Sequence, residues 1–514
     1  MRNERTMRAQ HDFGSALLIV LVVFGLGCSG TMNTGTAKKP VNNKPAADGS
    51  CPRGQSLCGV GKFAICVDLQ NDPDHCGACD RGCSPGIVCQ ASACQQTLCT
   101  GTTVPLAGQP TTGVSTTDDG GVTGPVPPYY FSSSQILADI NGDGRLDLIE
   151  GLSFYGNCPD CGVDFTEFHV SLGLPDGGFA PPDSYHASAN IVQIFATDVN
   201  SDGMADLYVV SAAYSNSAVA PYHVELWLGQ KDGHLIRSDA AGLNSDGMAE
   251  FGIAIGDLSG DGWPDLVMMA PDSNLEDPPK MGVYLSDSTG ALHLSQSFVA
   301  WAGQTFIRDW NRDGSPDLVM LLSTMEILYN RGDGTFEPPL DCGLSVGYGS
   351  WGDRDVVVED FNRDGWMDLA VGDGYRGNRV DVNRVDVMLG LGGCGFAPIS
   401  FYDLPGNGGG NGFLRAADMN GDGILDLVSV TAVSGPDPKD PNGLATTRTD
   451  NLLAVLLGNP DGTFRSPDTA ISLGPNPISD VAIGEVSGDQ RPDIVVSIAG
   501  GQTGQTSTWE NTCQ

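Results

Sequence analysis

A nine-residue motif that recurs along the chain constrains the fold more than any other feature of the sequence. Its first copy, DINGDGRLD, runs from Asp139 to Asp147. Six more copies follow at intervals of 51 to 67 residues and begin at Asp198, Asp257, Asp309, Asp360, Asp418 and Glu485. Self-similarity at such a period is typical of repeat architectures, in which each repeat forms one structural unit.

Each copy is rich in oxygen-bearing side chains, which occupy positions 1, 3, 5 and 9, and Gly stands at position 6 in all copies but the last. Carboxylates spaced this closely repel one another unless a cation lies among them. Ca²⁺ takes roughly six to eight oxygen ligands, and the backbone carbonyl of position 7 can be one of them. We therefore predict up to seven calcium ions, with ligands at positions 1, 3, 5, 7 and 9. These residues are Asp139, Asn141, Asp143, Arg145, Asp147, Asp198, Asn200, Asp202, Met204, Asp206, Asp257, Ser259, Asp261, Trp263, Asp265, Asp309, Asn311, Asp313, Ser315, Asp317, Asp360, Asn362, Asp364, Trp366, Asp368, Asp418, Asn420, Asp422, Ile424, Asp426, Glu485, Ser487, Asp489, Arg491 and Asp493.

Two alternatives to these calcium loops are an EF-hand and a set of acidic turns without metal. An EF-hand requires Glu at position 12 and an exiting helix. Only the first copy has that residue, Glu150, and short apolar runs such as Leu207 to Val210 follow the loops. Such runs predict buried strands. Plain turns do not require four oxygens in register.

The motifs, with tails such as LLGNPDGTF at Leu456 to Phe464, resemble the FG-GAP/VCBS repeats of integrin-α-type β-propellers. The resemblance covers residues from about 125 to 513. It implies an all-β fold, a seven-bladed β-propeller with four antiparallel strands in each blade. We expect blade 7 to lack its outer strand and the segment around Pro127 to Phe131 to supply it.

Residues 1–28 indicate an export signal, because three Arg precede the apolar run from Ala16 to Leu26. The run is too short to span a bilayer. The sequence up to Cys28 resembles a bacterial lipobox, with Gly at its start where a branched aliphatic residue is usual. We therefore expect a lipid anchor at Cys28 as the only membrane attachment. Simple secretion is the alternative. Residues 29–50 lack large apolar side chains and predict a flexible tether.

Residues 51–99 contain nine Cys, a density that predicts a disulfide-rich module in an exported chain. Zinc is the alternative, since Cys76 and Cys79 form a CxxC beside His75. The module is similar to Cys-rich modules common in exported myxobacterial proteins. Residues 100–124 should be a linker, residues 125–514 form the propeller, and Cys99 and Cys513 would bridge its two ends.

The formal net charge of −37 argues against nucleic acid as a partner, because phosphate binding needs clustered Lys and Arg. In an antiparallel meander the acidic loops and the Asp/Gly hairpins share one face, and the variable loops share the other. The longest variable loops are 151–166, 211–222, 270–281, 372–385 and 431–451. Exposed aromatic and Arg side chains dominate interfaces, so we predict partner binding in or near these loops, at Tyr155, Tyr214, Trp351, Tyr375 and Arg376.

The sequence predicts no catalytic residues, because the His residues fall in different repeats without a shared motif. We therefore expect a monomeric, surface-anchored protein that binds a macromolecule or polysaccharide. A carbohydrate-active lyase or hydrolase with its pocket at the propeller channel is one alternative, since a fold alone does not decide function. A passive envelope spacer is the other.

Overall fold

The computed structural model of the protein describes a set of segments in which every regular element is a β-strand. The described residues are 56–58, 65–67, 88–90, 93–95, 102–105, 129–155, 167–212, 222–245, 252–270, 280–299, 304–321, 324–344, 355–373, 383–406, 413–436, 446–467, 470–476, 478–498 and 505–511. The chain divides into two compact units, one of residues 1–83 with 88–94 and the other of residues 84–87 with 95–514.

Short strands form two ladders in the Cys-rich region. Ser56–Cys58 (β1) pairs with Ile65–Val67 (β2), and Val88–Gln90 (β3) forms a sheet with Ala93–Gln95 (β4). Cys66 lies in β2, is fully buried and is disulfide-bonded. The disulfide-rich module of residues 51–99 stays a prediction.

The second unit contains seven antiparallel sheets, each a blade of a seven-bladed β-propeller. After the short strand Thr102–Pro105 (β5), the strands follow the chain blade by blade. They are Tyr129–Ala138 (β6), Asp147–Tyr155 (β7), Glu167–Ser171 (β8) and Asp183–His186 (β9) in blade 1; Asn190–Thr197 (β10), Asp206–Ala212 (β11), Tyr222–Gly229 (β12) and Leu235–Ser245 (β13) in blade 2; Ala254–Gly256 (β14), Asp265–Ala270 (β15), Lys280–Ser286 (β16) and Leu292–Val299 (β17) in blade 3; Gln304–Arg308 (β18), Asp317–Leu321 (β19), Met325–Leu328 (β20) and Leu340–Asp341 (β21) in blade 4; Val356–Glu359 (β22), Asp368–Asp373 (β23), Arg384–Met388 (β24) and Ser400–Asp403 (β25) in blade 5; Leu414–Ala417 (β26), Asp426–Pro436 (β27), Thr446–Gly458 (β28), Phe464–Arg465 (β29) and Ile471–Ser472 (β30) in blade 6; and Ile478–Gly484 (β31), Asp493–Ile498 (β32) and Gln505–Glu510 (β33) in blade 7.

The strand that completes blade 7 differs from the sequence prediction. The outer position beside β33 is held by β5, with Ser507 opposite Pro105 and Glu510 opposite Thr102. The prediction that residues around Pro127 to Phe131 close the ring is wrong, because Tyr129 to Phe131 begin β6, which pairs with β7 in blade 1. The closing strand lies within the segment predicted to be a linker.

The second strand of each blade is buried on both faces, as the apolar runs after the acidic loops predicted. In β19 all five residues, from Asp317 to Leu321, are buried. Branched and unbranched aliphatic side chains on both faces are what a strand between two packed neighbours requires. Outer strands differ, since in β17 only the first residue, Leu292, is buried and the others are exposed or half-buried.

Seven apolar clusters, one at each interface between neighbouring blades, close the core into a ring. The cluster between blades 2 and 3, for example, packs Tyr208 and Leu226 against Leu266 and Tyr284. The interface of blades 7 and 1 has the smallest cluster, with four fully packed members, Leu148, Phe179, Val486 and Val495. Among the described residues, fewer apolar side chains are therefore buried at this interface than at the other six.

Polar side chains supplement this closing interface. Glu150 is buried in β7 and accepts hydrogen bonds from the Ser497 hydroxyl at 2.8 Å and the Thr506 hydroxyl at 2.6 Å, both from blade 7. The side-chain oxygen of Gln135 in β6 lies within hydrogen-bonding distance of the same Ser497 hydroxyl. A buried polar group needs such partners, and here the partners lie across the interface.

A second polar chain crosses the innermost strands of several blades. The Arg415 guanidinium of blade 6 donates to Asp355 beside blade 5 at 2.6 Å and to Asp480 of blade 7 at 3.1 Å. Asp480 also accepts the backbone N–H of Gln135 in blade 1 at 2.8 Å. Side chains and backbone thus connect blades 5, 6, 7 and 1 in sequence.

One disulfide joins two blades. Cys342 follows β21 of blade 4, and Cys394 lies in the hairpin before β25 of blade 5; their Cα atoms are 5.2 Å apart. Beside it, the Trp310 indole N–H donates to the Gly393 carbonyl at 2.7 Å. The sequence had left the pairing of these two Cys unassigned.

The meander places the acidic loops on one side of the ring, because they connect the first and second strands while the Asp/Gly hairpins connect the third and fourth. The Gly178 N–H of the blade 1 hairpin donates to Val486 O in the seventh loop at 3.1 Å, so both kinds of loop share this side, the loop face. The connections between second and third strands emerge on the opposite face. No helix in the described segments has the length and apolar character needed to cross a bilayer.

Candidate metal centre

The seven acidic loops, numbered 1 to 7 in chain order, share one backbone conformation. Positions 4 and 6 both have positive φ in every loop. Gly adopts this conformation readily, whereas other L-residues are strained there. The non-Gly residues that adopt it are Ser201 (58°), Arg312 (65°), Arg363 (57°) and Gln490 (71°). The motif predicted the turn at position 6, and the second left-handed residue at position 4 was not foreseen.

The Asp at position 9 has a structural role that the motif did not reveal. It is 0% exposed in all seven loops. In loop 1, one oxygen of Asp147 accepts the Ile140 N–H at 3.0 Å and the other accepts the Gly173 N–H at 2.8 Å. The same two bonds, to position 2 and to the residue at the end of the third strand, recur in the other six loops. Each position 9 carboxylate therefore ties its loop to the end of the third strand of the same blade.

Burial raises the pKa of the position 9 carboxyl in loops 1 to 6, because removing a charge from water disfavours the ionised form. The backbone hydrogen bonds oppose this shift, and a carboxylate at position 1, position 5 or both adds to it in these six loops. The pKa rises to about 6 at Asp147, Asp206, Asp317 and Asp368 and to about 7 at Asp426, and it is also raised at Asp265. A nearby cation would favour the ionised form of every one of them.

The side chains at positions 1, 3 and 5 turn back over their own loop. In loop 1, Asp139 accepts the N–H groups of Gly142 and Gly144, both at 2.7 Å, and Asn141 accepts the N–H of Asp143 at 2.9 Å. In all seven loops the N–H of position 7 donates to the position 5 carboxylate. The predicted ligand positions of each loop are thus drawn into one compact turn.

Two of the loops leave a side-chain oxygen without a partner. Position 3 is Ser in loops 3 and 7, and the hydroxyl oxygens of Ser259 and Ser487 are buried with no hydrogen bond. The corresponding Asn oxygen accepts the N–H of position 5 in loops such as loop 1. An unsatisfied buried oxygen needs an explanation, and an unseen ion is one of the usual ones.

The donor set fits a hard cation such as Ca²⁺, since it consists of carboxylate, amide, hydroxyl and carbonyl oxygens. Within the described segments, no three His, Cys, Asp or Glu side chains form a group that could hold a metal ion. Side chains of positions 1, 3 and 5 together with the position 7 carbonyl would hold the ion, and position 9 would add its charge from below. The ion would cross-link the turn and neutralise its carboxylates.

Neighbouring loops are joined by Asn side chains at the ends of two third strands. The Asn330 side chain of blade 4 donates to Leu258 O in loop 3 at 2.7 Å. The Asn511 side chain of blade 7 donates to Met419 O in loop 6 at 2.6 Å. Both carbonyls belong to position 2 of the preceding blade's loop. Each Asn therefore links the third strand of its own blade to the acidic loop of the preceding blade.

Other predicted residues lie where the structure says nothing of their side chains. Cys28, Tyr214, Trp351, Tyr375 and Arg376 fall outside the described residues, as do Cys99 and Cys513. Tyr155 ends β7, where its backbone is opposite Tyr129. The proposed binding surface and the end-to-end disulfide therefore stay predictions.

Three His–carboxylate pairs occur in the described segments, and they are spread over different blades. The distances are 3.5 Å for His169 with Glu167, 3.7 Å for His234 with Asp183 and 3.4 Å for His293 with Asp287. The first pair lies in blade 1, the second joins the blade 2 hairpin to the outer strand of blade 1, and the third lies in blade 3. The three pairs therefore do not converge on one site.

Comparison with known proteins supports the repeat assignment. Residues 198–268 and 309–371 match the FG-GAP-like repeat family. The chain carries FG-GAP-like repeats. The two matches contain loops 2 and 3 and loops 4 and 5, and the remaining blades repeat the same loop geometry. No curated protein matches this sequence.

Several solved structures are similar to this chain at a low level. A lectin of Agrocybe aegerita that recognises non-reducing terminal N-acetylglucosamine is 15% identical, with a TM-score of 0.42, over 68% of this chain and 81% of the lectin. An exotype rhamnogalacturonan lyase is 14% identical, with a TM-score of 0.43, over 80% of this chain and 76% of the lyase. NanB sialidase from Streptococcus pneumoniae is 11% identical, with a TM-score of 0.37, over 75% of this chain and 69% of the sialidase. Similarity at this level carries no argument about function.

Proposed function

We propose that this FG-GAP propeller is an exported, calcium-stabilised scaffold that is anchored at the cell envelope through Cys28. It binds a macromolecule or glycan with the face opposite the loop face. The observation that carries the proposal is the difference between the two faces of the ring. The loop face repeats one acidic turn seven times, with the position 9 carboxylates buried beneath it. Variation is concentrated on the opposite face.

Strand pairing shows how far the blades differ on that face. In blade 6, β27 and β28 stay paired from Leu427 opposite Leu456 to Pro436 opposite Thr446. In blade 4 the corresponding pairing ends at Leu321 opposite Met325. Loops of variable length on a rigid scaffold are the usual place for binding residues. The predicted residues Tyr155, Tyr214, Trp351, Tyr375 and Arg376 belong to or adjoin such loops.

Calcium supports this role by making the scaffold rigid. Each empty loop holds carboxylates in mutual repulsion, and an ion that binds only the folded state stabilises it by mass action. Seven divalent ions would change the formal charge from −37 to −23.

The binding face is tested with the full mature chain, labelled with a fluorophore, on a glycan array and on whole cells. The triple variant Tyr155→Ala, Tyr375→Ala, Arg376→Ala should lose at least about tenfold in retention, because aromatic and Arg anchors each contribute about 1–2 kcal/mol or more. The matched control is Asp333→Ala with Asp461→Ala, which alters two hairpins of the loop face. If the triple variant keeps its retention at an unchanged melting temperature and the control loses it, binding lies on the loop face and the proposal is contradicted.

The anchor is tested separately by replacing Cys28 with Ser. The wild-type protein should partition into the detergent phase of a Triton X-114 extract, and Cys28→Ser should move it to the aqueous phase. Aqueous partitioning of the wild-type protein would support simple secretion instead. Shortening of an array-bound polysaccharide by the wild-type protein would favour the enzyme over the binding module.

A further inference from the structure

Loop 5 is contacted by a cationic side chain from the neighbouring loop 4. Arg312 is position 4 of loop 4, and its side chain leaves that loop for loop 5. Its Nε donates to Gly365 O at 2.6 Å, and its Nη2 donates to Asp364 O at 2.5 Å and lies 3.5 Å from Asp364 Oδ1. The guanidinium also covers the Trp366 ring, with Cζ 3.7 Å from the ring centroid.

These contacts hold the guanidinium at positions 5, 6 and 7 of loop 5. A Cβ built at Gly365 would lie 2.7 Å from Arg312 Nη2, so the guanidinium fills the space that Gly leaves open. Cation–π stacking and charge-assisted hydrogen bonds act together here. Arg312 adopts this arrangement although its own φ of 65° is strained for a non-Gly residue.

Loop 3 offers a natural comparison, because it also has Trp at position 7. The preceding loop 2 has Ser201 at position 4, with a φ of 58°. The side chain of Ser201 is short and uncharged. Loops 3 and 5 therefore share Trp263 and Trp366 at the same position and differ in whether the preceding loop supplies an Arg.

We propose that Arg312 is the resident counter-cation of loop 5, which stabilises this loop without calcium and lowers its affinity for calcium relative to loop 3. This inference rests on the proposed calcium occupancy of the loops. A Ca²⁺ ion bound by Asp364 would lie close to the guanidinium, and the two positive charges would repel each other. Because the guanidinium is partly exposed, the expected effect is modest, about threefold to tenfold in affinity.

Arg145 has a related position within loop 1. Its Nη2 contacts Asp143 Oδ2, and its Nε donates to Gly173 O at 2.9 Å. Here the cation comes from position 7 of the same loop. Arg145 is therefore expected to weaken calcium binding by loop 1 in the same way.

The test uses Tb³⁺, an oxygen-seeking ion that replaces Ca²⁺ and emits when a nearby Trp is excited. The emission that disappears on Trp366→Phe is the signal of loop 5, and the emission that disappears on Trp263→Phe is the signal of loop 3. Titrations of the full chain are compared with and without Arg312→Gln, which removes the charge but keeps a long polar side chain. Arg312→Lys, which keeps the charge, serves as the matched control.

Arg312→Gln should raise the Tb³⁺ affinity of loop 5 by about threefold to tenfold and leave loop 3 unchanged, and Arg312→Lys should keep the affinity of loop 5 low. In EDTA, Arg312→Gln should lower the melting temperature, and Ca²⁺ should reduce the difference from wild type. Equal loop 5 affinity in wild type and Arg312→Gln would overturn this inference while leaving calcium binding in place. Absence of Trp-sensitised emission at both loops would overturn the proposed calcium sites as well.

Discussion

Removing the Cys342–Cys394 disulfide should destabilise the propeller measurably. The bond joins blade 4 to blade 5, and 52 residues separate the two Cys. Replacing both with Ala deletes the cross-link and leaves the neighbouring hydrogen bond from Trp310 to Gly393 in place. The change acts chiefly on the unfolded chain, which regains the conformations that the closed loop denied it.

The size of the effect follows from the length of that loop. In the loop-entropy model a closed loop of this length contributes about 4 kcal/mol at 25 °C. Cys342 and Cys394 are both half-buried and pack against the edge of the apolar cluster between blades 4 and 5, and Ala at the two sites keeps part of that packing. We therefore expect Cys342→Ala with Cys394→Ala to lose about 2–4 kcal/mol of unfolding free energy.

The assay is urea unfolding followed by Trp fluorescence in millimolar Ca²⁺, for wild type and the double variant. Reductant added to the double variant measures what the other disulfides contribute, and reductant added to wild type should lower its midpoint further than that. Hydrogen exchange should locate the lost protection in blades 4 and 5. A double variant with the wild-type midpoint would refute the reasoning that this cross-link constrains the unfolded chain.

Other predictions concern the acidic loops. EGTA should lower the calorimetric melting temperature relative to millimolar Ca²⁺, and superposable curves would contradict the calcium assignment. Asp489→Ala should cost less stability than Asp143→Ala or Asp422→Ala, because Glu at position 1 and Gln at position 6 weaken loop 7; urea midpoints of the three variants test the ranking. Gln490→Gly should stabilise the protein by about 0.5–1 kcal/mol in the same assay, because it relieves a φ of 71°. In EDTA the folded protein holds the Asp426 proton more tightly than the unfolded chain, since its pKa is raised from 3.8 to about 7. Its contribution to stability should therefore fall as pH rises from about 4 to about 7, and Asp426→Asn should reduce that slope.

The blades and their loops were predictable because the information is local. Seven copies of one motif, each followed by a short apolar run, fixed the number of blades and the position of every second strand. The positive φ of Gln490 was also predictable, because its position is Gly in the other six loops. Periodicity and turn chemistry act over a few residues, and a sequence displays both directly.

The features that escaped prediction depend on contacts between distant residues. The closing strand Thr102–Pro105 has no apolar pattern of its own, because an outer strand needs only backbone pairing. The pairing of Cys342 with Cys394 and the reach of Arg312 into loop 5 both connect neighbouring blades. The structural use of the position 9 Asp was hidden because a metal ligand and an acceptor of backbone N–H groups require the same side chain.

The closing strand also sets a delay during synthesis. Its partner begins at Gln505, 400 residues after Pro105. At roughly 5–20 residues per second, a ribosome needs about 20–80 s to make the intervening chain. For most of this interval Val486 and Val495 of blade 7 have not been made, so the surface of Leu148 and Phe179 that they later cover stays in contact with water. A nascent chain stalled before Val486 should therefore recruit chaperones that bind apolar surfaces, and release should follow once blade 7 is complete.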